Sequence, residues 1–201
     1  FLFSCIMLPE NAERKLVEVI STQMSTAAKD LGVAIVGGHC ETTPGLANPI
    51  VVGCTIGLTE KGHYVTAGGA KPGDKLILTK SAGIEGTAIL ATDRENVLQK
   101  ILSPAVLEKA KSFWSQISVV KDALTACKTG GVHAMHDPTE GGVAGGIHEM
   151  GDAANTGVRI FEDAIPVQPE TAQICDHFQI DPLQLIGSGA LLISAEEGSA
   201  N

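Results

Sequence analysis

The stretch MHDPTEGGVAGGIHEM, residues 135–150, sets the fold of the second part of this chain. Its pattern predicts a strand before Asp137 and a glycine-rich helix after Gly141. The Asp137 carboxylate offers the hard oxygen ligand that Mg²⁺ prefers, and the amides from Thr139 to Gly142 would open a helix, which attracts phosphate. An ordinary helix cap explains the same residues, so the motif by itself leaves both interpretations open.

A second strand-to-helix turn, TKSAGIEGT, occupies residues 79–87. Lys80 precedes Gly83 and Gly86, whereas the phosphate loop of Walker-type NTPases has its lysine after the glycines. That class of NTPase is therefore excluded. By itself this segment is more typical of a plain turn than of a ligand site.

A third candidate loop, GGHCETTPG at residues 37–45, follows a predicted strand at residues 33–36. The paired glycines Gly37 and Gly38 would let the backbone approach a ligand closely. A hairpin loop with capping hydroxyls is the alternative interpretation. The groups available to a phosphate or Mg²⁺ are those of His39, Glu41, Thr42 and Thr43.

Strands and helices alternate along the chain, which predicts an α/β (α+β) fold. A composition break near residues 68–74 predicts domains at 1–68 and 69–201. Helices are predicted at 11–31, after Gly83 and Gly86 to about residue 91, from Pro104, at 119–127, from Gly142, at 169–178 and at Pro182. Strands are predicted at the N-terminus and at 33–36, 49–58, 75–79, before Asp137, at 158–161 and at 190–193.

Composition excludes several classes of protein. With 44% hydrophobic and 18% charged residues, the chain is expected to fold rather than stay disordered. A net charge of -9 with 14 scattered Lys and Arg argues against nucleic-acid binding. No run approaches the roughly 18 to 20 apolar residues that span a membrane. The five cysteines form no CxxC pair, which predicts neither zinc nor disulfides and a cytoplasmic location.

Taken in order, these segments resemble the aminoimidazole ribonucleotide (AIR) synthase, PurM-like superfamily, especially its hydrogenase-maturation branch. The motifs that carry the resemblance are GGHxETTPG, KPGDxLILTK, GIEGTAIL, MHDPTEGGVAGGIHEM and IPVxPET with DPLxLIGSGALLI. The resemblance covers nearly the whole chain. It implies a partial N-terminal domain that pairs in a homodimer, followed by a C-terminal domain, with ATP and Mg²⁺ as cofactors.

The resemblance also implies an activity, in which ATP phosphorylates an amide or carbamoyl-type oxygen of a small-molecule or protein-bound substrate. His39 and Asp137 match metal-facing positions, and Lys80 matches the catalytic TK turn. The expected nucleotide-binding residues are Gly37, Gly38, Thr42, Gly83, Gly86, Thr139, Gly141 and Gly142.

Two functions stay open at this point. The glycine-rich segment and paired aspartates that complete the ATP site in the family are not in this sequence, nor is the cysteine tail of the hydrogenase-maturation branch. The chain, which begins in a predicted strand at Phe1, looks cut at both ends. It is therefore expected to be either an ATP-dependent enzyme or a catalytically inactive nucleotide-binding regulator or scaffold.

Overall fold

The computed structural model describes residues 1–200, which divide after Tyr64 into a first unit and a second unit. Each unit contains a three-stranded sheet, and helices connect most of the strands. This mixed architecture confirms the predicted α/β (α+β) class.

In the first unit, strand β1 (Leu2–Leu8) lies between β2 (Ile35–Thr42) and β3 (Ile50–Thr55). β1 runs parallel to β2 and antiparallel to β3. A parallel pair needs a crossover connection, which helix α1 (Arg14–Asp30) supplies.

Strand β2 includes most of the segment that was predicted to be a loop after residue 36, and that prediction is wrong. Every residue from Gly37 to Thr42 has a partner on β1, so a complete backbone ladder extends the strand. A side chain at Gly38 would collide with the Ser4 carbonyl oxygen of β1. The glycine therefore serves the close approach of two strands.

One face of the sheet in the first unit exposes apolar side chains of β1 and β3, whereas β2 contributes His39 and Glu41 to that face. Ile6 and Leu8 are 7% and 4% exposed, whereas Phe3, on the opposite face of β1, is 42% exposed. Ile50 and Val52 of β3 pair with residues of that second face and are 44% and 51% exposed. Strands β2 and β3 also leave their outer edges unpaired within this unit.

In the second unit, β6 (Leu192–Ala195) lies between β4 (Lys75–Leu78) and β5 (Val132–His136) and runs antiparallel to both. The carboxyl ends of β4 and β5 and the start of β6 therefore meet at one edge of the sheet. The helices of this unit are α2 (Ile84–Asp93), α3 (Glu95–Leu98), α4 (Pro104–Lys111), α5 (Val120–Thr129), α6 (Gly142–Ala154) and α7 (Pro169–Phe178).

The helices were predicted well where their signals are local. Helix α4 starts with Pro104, and the Ser103 hydroxyl accepts a hydrogen bond from the Val106 amide at 3.3 Å, as a serine cap should. The predicted bounds of the helix at 169–178 are confirmed. Aliphatic side chains from α2, α4 and α7 form one core, and α6 packs Val143 on the sheet to form another.

Two predicted elements of the second unit are wrong. Residues 158–161 have no strand partner, so their β-branched composition does not produce a strand. The segment at Pro182 is a turn rather than a helix, because the Asp181 carboxylate accepts a hydrogen bond from the Leu183 amide at 2.9 Å.

Within residues 1–200, no helix is long and apolar enough to cross a membrane. The five cysteines have free thiols, and only Cys175 is buried. Burial raises the pKa of the Cys175 thiol to about 11, and the Asp181 carboxylate adds to the shift.

A buried carboxylate ties the start of β4 to the rest of its sheet. The Asp74 side chain is 10% exposed and lies 2.9 Å from His133 Nδ1. It accepts hydrogen bonds from the Ser194 hydroxyl at 2.7 Å and the Lys71 amide at 2.9 Å. Burial raises the pKa of Asp74, but these partners outweigh burial and hold the pKa below its usual value.

Replacing Asp74 with alanine is expected to destabilise the second unit by about 2–4 kcal/mol at neutral pH, because three partners lose their acceptor. Since the folded-state pKa is lowered, the stabilisation is complete above the unfolded pKa of about 4 and is lost as pH falls through the folded value. Urea unfolding at neutral and acidic pH measures this effect. The exposed Asp93→Ala variant is the control, and an Asp74→Ala protein with the parent's acid sensitivity would contradict the assignment.

Candidate functional site

Three loops converge at the edge of the second sheet where β4 and β5 end and β6 begins. The first comprises residues 79–83, which lead into helix α2, the second residues 137–141 and the third residues 183–191. Thr79 donates its amide to the Leu191 carbonyl at 3.0 Å, and its hydroxyl accepts the Leu191 amide at 3.0 Å. The third loop is thereby fixed directly against the first.

The third loop also contacts the second, so it connects two segments that the sequence identified separately. The Gly187 amide donates to the Thr139 carbonyl at 3.2 Å, and the Gly86 amide donates to the Ile186 carbonyl at 3.0 Å. No role was predicted for this loop. Its sequence signals are Gly187 and Gly189 and the motif DPLxLIGSGALLI, which carries part of the family resemblance.

Helix α6 begins at Gly142, in tight contact with the third loop. Gly142 has a φ of +62°, and a Cβ there would lie 2.6 Å from the Leu185 carbonyl oxygen. Its amide donates to the Thr139 carbonyl at 3.0 Å, and the Ala144 amide donates to the Leu183 carbonyl at 2.9 Å. These first-turn amides hold protein carbonyls rather than pointing into open space.

Gly141, which precedes Gly142, leaves more room for a ligand. Gly141 is exposed, has a φ of +82°, and only the Cα of Gly145, at 3.5 Å, would be near an added Cβ. The predicted contact between phosphate and Thr139, Gly141 or Gly142 stays a prediction, and Gly141 is the most accessible of the three.

Gly83 of the first loop and Gly86 of helix α2 are buried against the third loop. A Cβ at Gly83 would lie 3.1 Å from side-chain carbons of both Leu185 and Thr171, and a Cβ at Gly86 would overlap Leu185. Their small size therefore serves packing. Their predicted role in nucleotide binding stays a prediction.

The second loop presents two exposed carboxylates. Asp137 is exposed, and its carboxylate has no ion-pair or hydrogen-bond partner within residues 1–200; its neighbour His136 lies 2.6 Å from Glu149. At Glu140, hydrogen bonds from its own amide and then from the Thr139 hydroxyl lower the pKa of the carboxyl. The loop is therefore negatively charged at neutral pH, and Asp137 is its unengaged group.

The Lys80 ammonium is surrounded by three oxygen atoms. Its Nζ lies 2.6 Å from the Gly189 carbonyl oxygen, 3.1 Å from the Ser118 carbonyl oxygen and 3.0 Å from Asp122 Oδ2. The backbone at Lys80 is left-handed, with a φ of +55°.

The first unit carries the remaining predicted residues on strand β2. His39 Nε2 lies 3.3 Å from Glu41 Oε2, and both side chains are more than half exposed. A Cβ at Gly37 would contact the Phe3 ring at 3.4 Å. Thr42 ends the strand opposite Leu8, and the predicted ligand contacts of Gly37, Gly38 and Thr42 stay predictions.

Within residues 1–200, no three His, Cys, Asp or Glu side chains are placed to hold a metal ion. Mg²⁺ commonly keeps several waters and binds one or two carboxylates together with substrate phosphates. The unengaged Asp137 fits a cation that is carried by nucleotide phosphates, and a closed protein cage is absent from this part of the chain.

Family comparisons match almost the entire chain. Residues 1–59 match the family AIR synthase related protein, N-terminal domain, and residues 71–201 match AIR synthase related protein, C-terminal domain. The carbamoyl dehydratase HypE of Rhizobium leguminosarum bv. viciae is 30% identical over 204 residues, which cover 99% of this chain and 55% of that protein. The chain thus spans about half the length of the curated relatives it matches.

Solved structures share the fold. Escherichia coli HypE, a hydrogenase maturation protein, superposes with a TM-score of 0.82 at 25% identity, covering 99% of this chain and 60% of that chain. A HypE in complex with ATP gives 0.75 at 23% identity, with coverages of 99% and 57%. HypE in a HypE–HypF complex gives 0.78 at 23% identity, with coverages of 100% and 63%.

Proposed function

Because the chain belongs to the AIR synthase related protein family, we propose that it is part of an ATP-dependent enzyme that dehydrates a carbamoyl group during hydrogenase maturation. The observation that carries the proposal is the meeting of three loops around an unengaged aspartate at one sheet edge. The relatives named for carbamoyl dehydration and the HypE solved with ATP support the substrate class and the nucleotide.

The chemistry explains why a nucleotide is needed. A carbamoyl oxygen is a poor leaving group, and bound ATP would supply the phosphoryl group that converts it into phosphate. Removal of that phosphate together with both amide protons leaves a carbon–nitrogen triple bond, with ADP and phosphate as the other products. The protein's task is then to position the groups and to stabilise charge.

Different residues of the second unit would bind the metal and the phosphates. The Asp137 carboxylate would hold Mg²⁺ on the nucleotide phosphates, where the metal neutralises negative charge. Thr139 and the exposed backbone at Gly141 belong to the same loop and would contact phosphate oxygens, the Thr139 hydroxyl by exchanging its hydrogen bond to Glu140 for one to phosphate. In the first unit, taken by itself, His39 on β2 is proposed as a metal-facing residue, and Gly37, Gly38 and Thr42 on the same strand are proposed as nucleotide-binding residues.

We further propose that residues 1–68 are part of an N-terminal domain that pairs in a homodimer and that residues 69–201 belong to the C-terminal domain. The exposed apolar side chains that β1 and β3 share on one sheet face support the dimer, because exposed apolar patches and strand edges favour association. A protein partner is also consistent with the HypE–HypF complex. A cytoplasmic location remains a prediction from cysteine usage.

Replacing Val52 with lysine is expected to convert the dimer to monomer, because a charge on that face would be buried in the interface. Val52 is 51% exposed; Val19 of helix α1 is 44% exposed and is the matched control. Analytical ultracentrifugation at tens of micromolar measures the effect. Dimers that survive Val52→Lys, or that are lost equally with Val19→Lys, would contradict this interface.

The activity is tested on the natural protein that contains this chain. Calorimetry with Mg-ATP measures binding, and phosphorus NMR with a carbamoylated peptide measures the release of ADP and phosphate. Binding with substrate-dependent phosphate release is the expected result. Binding without turnover would favour the nucleotide-binding scaffold, and the absence of binding would overturn both functions.

A further inference from the structure

We propose that Lys80 is a positioning residue, which holds the 183–191 loop in place, rather than a group that contacts the substrate. Its relevance to catalysis rests on the proposed function. The structural role rests on contacts within the second unit alone.

The Lys80 ammonium has no free donor. A lysine ammonium carries three N–H groups. Acceptors lie 2.6 Å away at Gly189, 3.0 Å away at Asp122 and 3.1 Å away at Ser118. One acceptor belongs to the third loop and the other two to the N-terminal end of α5, so one cation joins two separate segments to the end of β4.

Partial burial strengthens these contacts. The Lys80 and Asp122 side chains are 24% and 25% exposed, so the ion pair is shielded from much of the solvent that weakens surface pairs. A phosphate at the ammonium would have to displace the carboxylate or one of the two carbonyls. The arrangement therefore favours a structural role for the Lys80 ammonium over a role in binding phosphate.

The backbone of Lys80 supports the same conclusion. A left-handed conformation is strained for a non-glycine residue, and such residues persist where surrounding contacts hold them. Here the contacts of the side chain maintain that conformation. The left-handed backbone at Lys80 thus directs the ammonium toward the Gly189 carbonyl.

The third loop connects the Lys80 contacts to the candidate site. Gly189 lies two residues after Gly187, whose amide binds the Thr139 carbonyl beside Asp137. Gly189 is itself closely surrounded, since a Cβ there would lie 3.0 Å from Ile84 Cγ2 and 3.1 Å from the Gln116 carbonyl oxygen. Release of the Gly189 carbonyl would loosen the loop that supports Thr139.

Amide hydrogen exchange of the nucleotide-free protein tests the proposal independently of ATP binding. Lys80→Met is expected to speed exchange at the Gly187 and Leu191 amides about tenfold, because the loop opens locally more often. Asp122→Asn leaves the lysine in place and is expected to act in the same direction with a smaller effect. Lys75→Met is the control, since Lys75 lies at the other end of β4 and pairs with Glu197, so its loss should leave both amides unchanged.

A direct role in substrate binding predicts a different pattern. Lys80→Met would then reduce Mg-ATP binding or turnover while the Gly187 and Leu191 amides exchange at the parent's rate, and Asp122→Asn would have no effect on exchange. That pattern would overturn the proposal. If Lys80→Met does not fold, unchanged exchange in Asp122→Asn overturns it as well. Failure of the natural protein to bind ATP would refute the proposed function and leave the exchange result standing.

Discussion

Replacing Gly142 with alanine is expected to lower the free energy of unfolding of the second unit by about 2–4 kcal/mol. Two costs add together. A φ of +62° costs an alanine roughly 1 kcal/mol, and forcing a methyl group into a packed site costs about 1–3 kcal/mol more. The added Cβ would lie 2.6 Å from the Leu185 carbonyl oxygen and 2.8 Å from the Gln184 carbonyl carbon, and backbone atoms have no rotamer that moves them aside.

Gly141→Ala is the matched control for this prediction. Gly141 also has a positive φ, but its nearest neighbour would be the Gly145 Cα at an ordinary 3.5 Å. It should therefore lose only the conformational part, about 1 kcal/mol. Urea unfolding followed by far-ultraviolet circular dichroism separates the two variants. Equal losses would mean that contact with the third loop does not explain the requirement for glycine at 142.

The features that sequence predicted well have local causes. Ser103 and Pro104 start helix α4 through atoms within one helical turn, so their pattern is sufficient evidence. Strand β2 was underestimated because its extension depends on β1, which lies about 30 residues earlier in the chain. Residues 158–161 show the converse, since a strand-like composition forms no strand without a partner.

The residues of the candidate site also differ in whether their signals are local in sequence. Asp137 and Gly142 were found because a strand, an acidic loop and a helix follow one another directly. The 183–191 loop was missed because its function depends on contacts with residues that are distant in sequence. Lys80 was identified by its motif, but its chemical role depends on acceptors at Asp122 and Gly189, which no spacing in the sequence indicates.

The Asp137→Asn variant is expected to bind Mg-ATP about 10- to 100-fold more weakly, an effect comparable to the loss of groups that support a metal ligand. Its free energy of unfolding should change by less than about 0.5 kcal/mol, because the carboxylate is exposed and asparagine also caps helices. Calorimetry on the natural protein measures the affinity, and urea unfolding measures the stability. A helix-capping role for Asp137 predicts unchanged affinity.

Removal of the metal makes the test of Asp137 specific. With Mg²⁺ chelated, the carboxylate has no cation to hold and only repels phosphate, so Asp137→Asn should bind metal-free ATP as tightly as the parent protein or more tightly. Glu140→Gln removes a neighbouring charge from the same loop and should weaken Mg-ATP binding by no more than about twofold, as expected for an exposed charge. An equal loss with and without Mg²⁺, or with Glu140→Gln, would assign the effect to loop structure instead of metal binding. The sign of the change without metal therefore distinguishes a ligand of Mg²⁺ from a carboxylate that only shapes the loop.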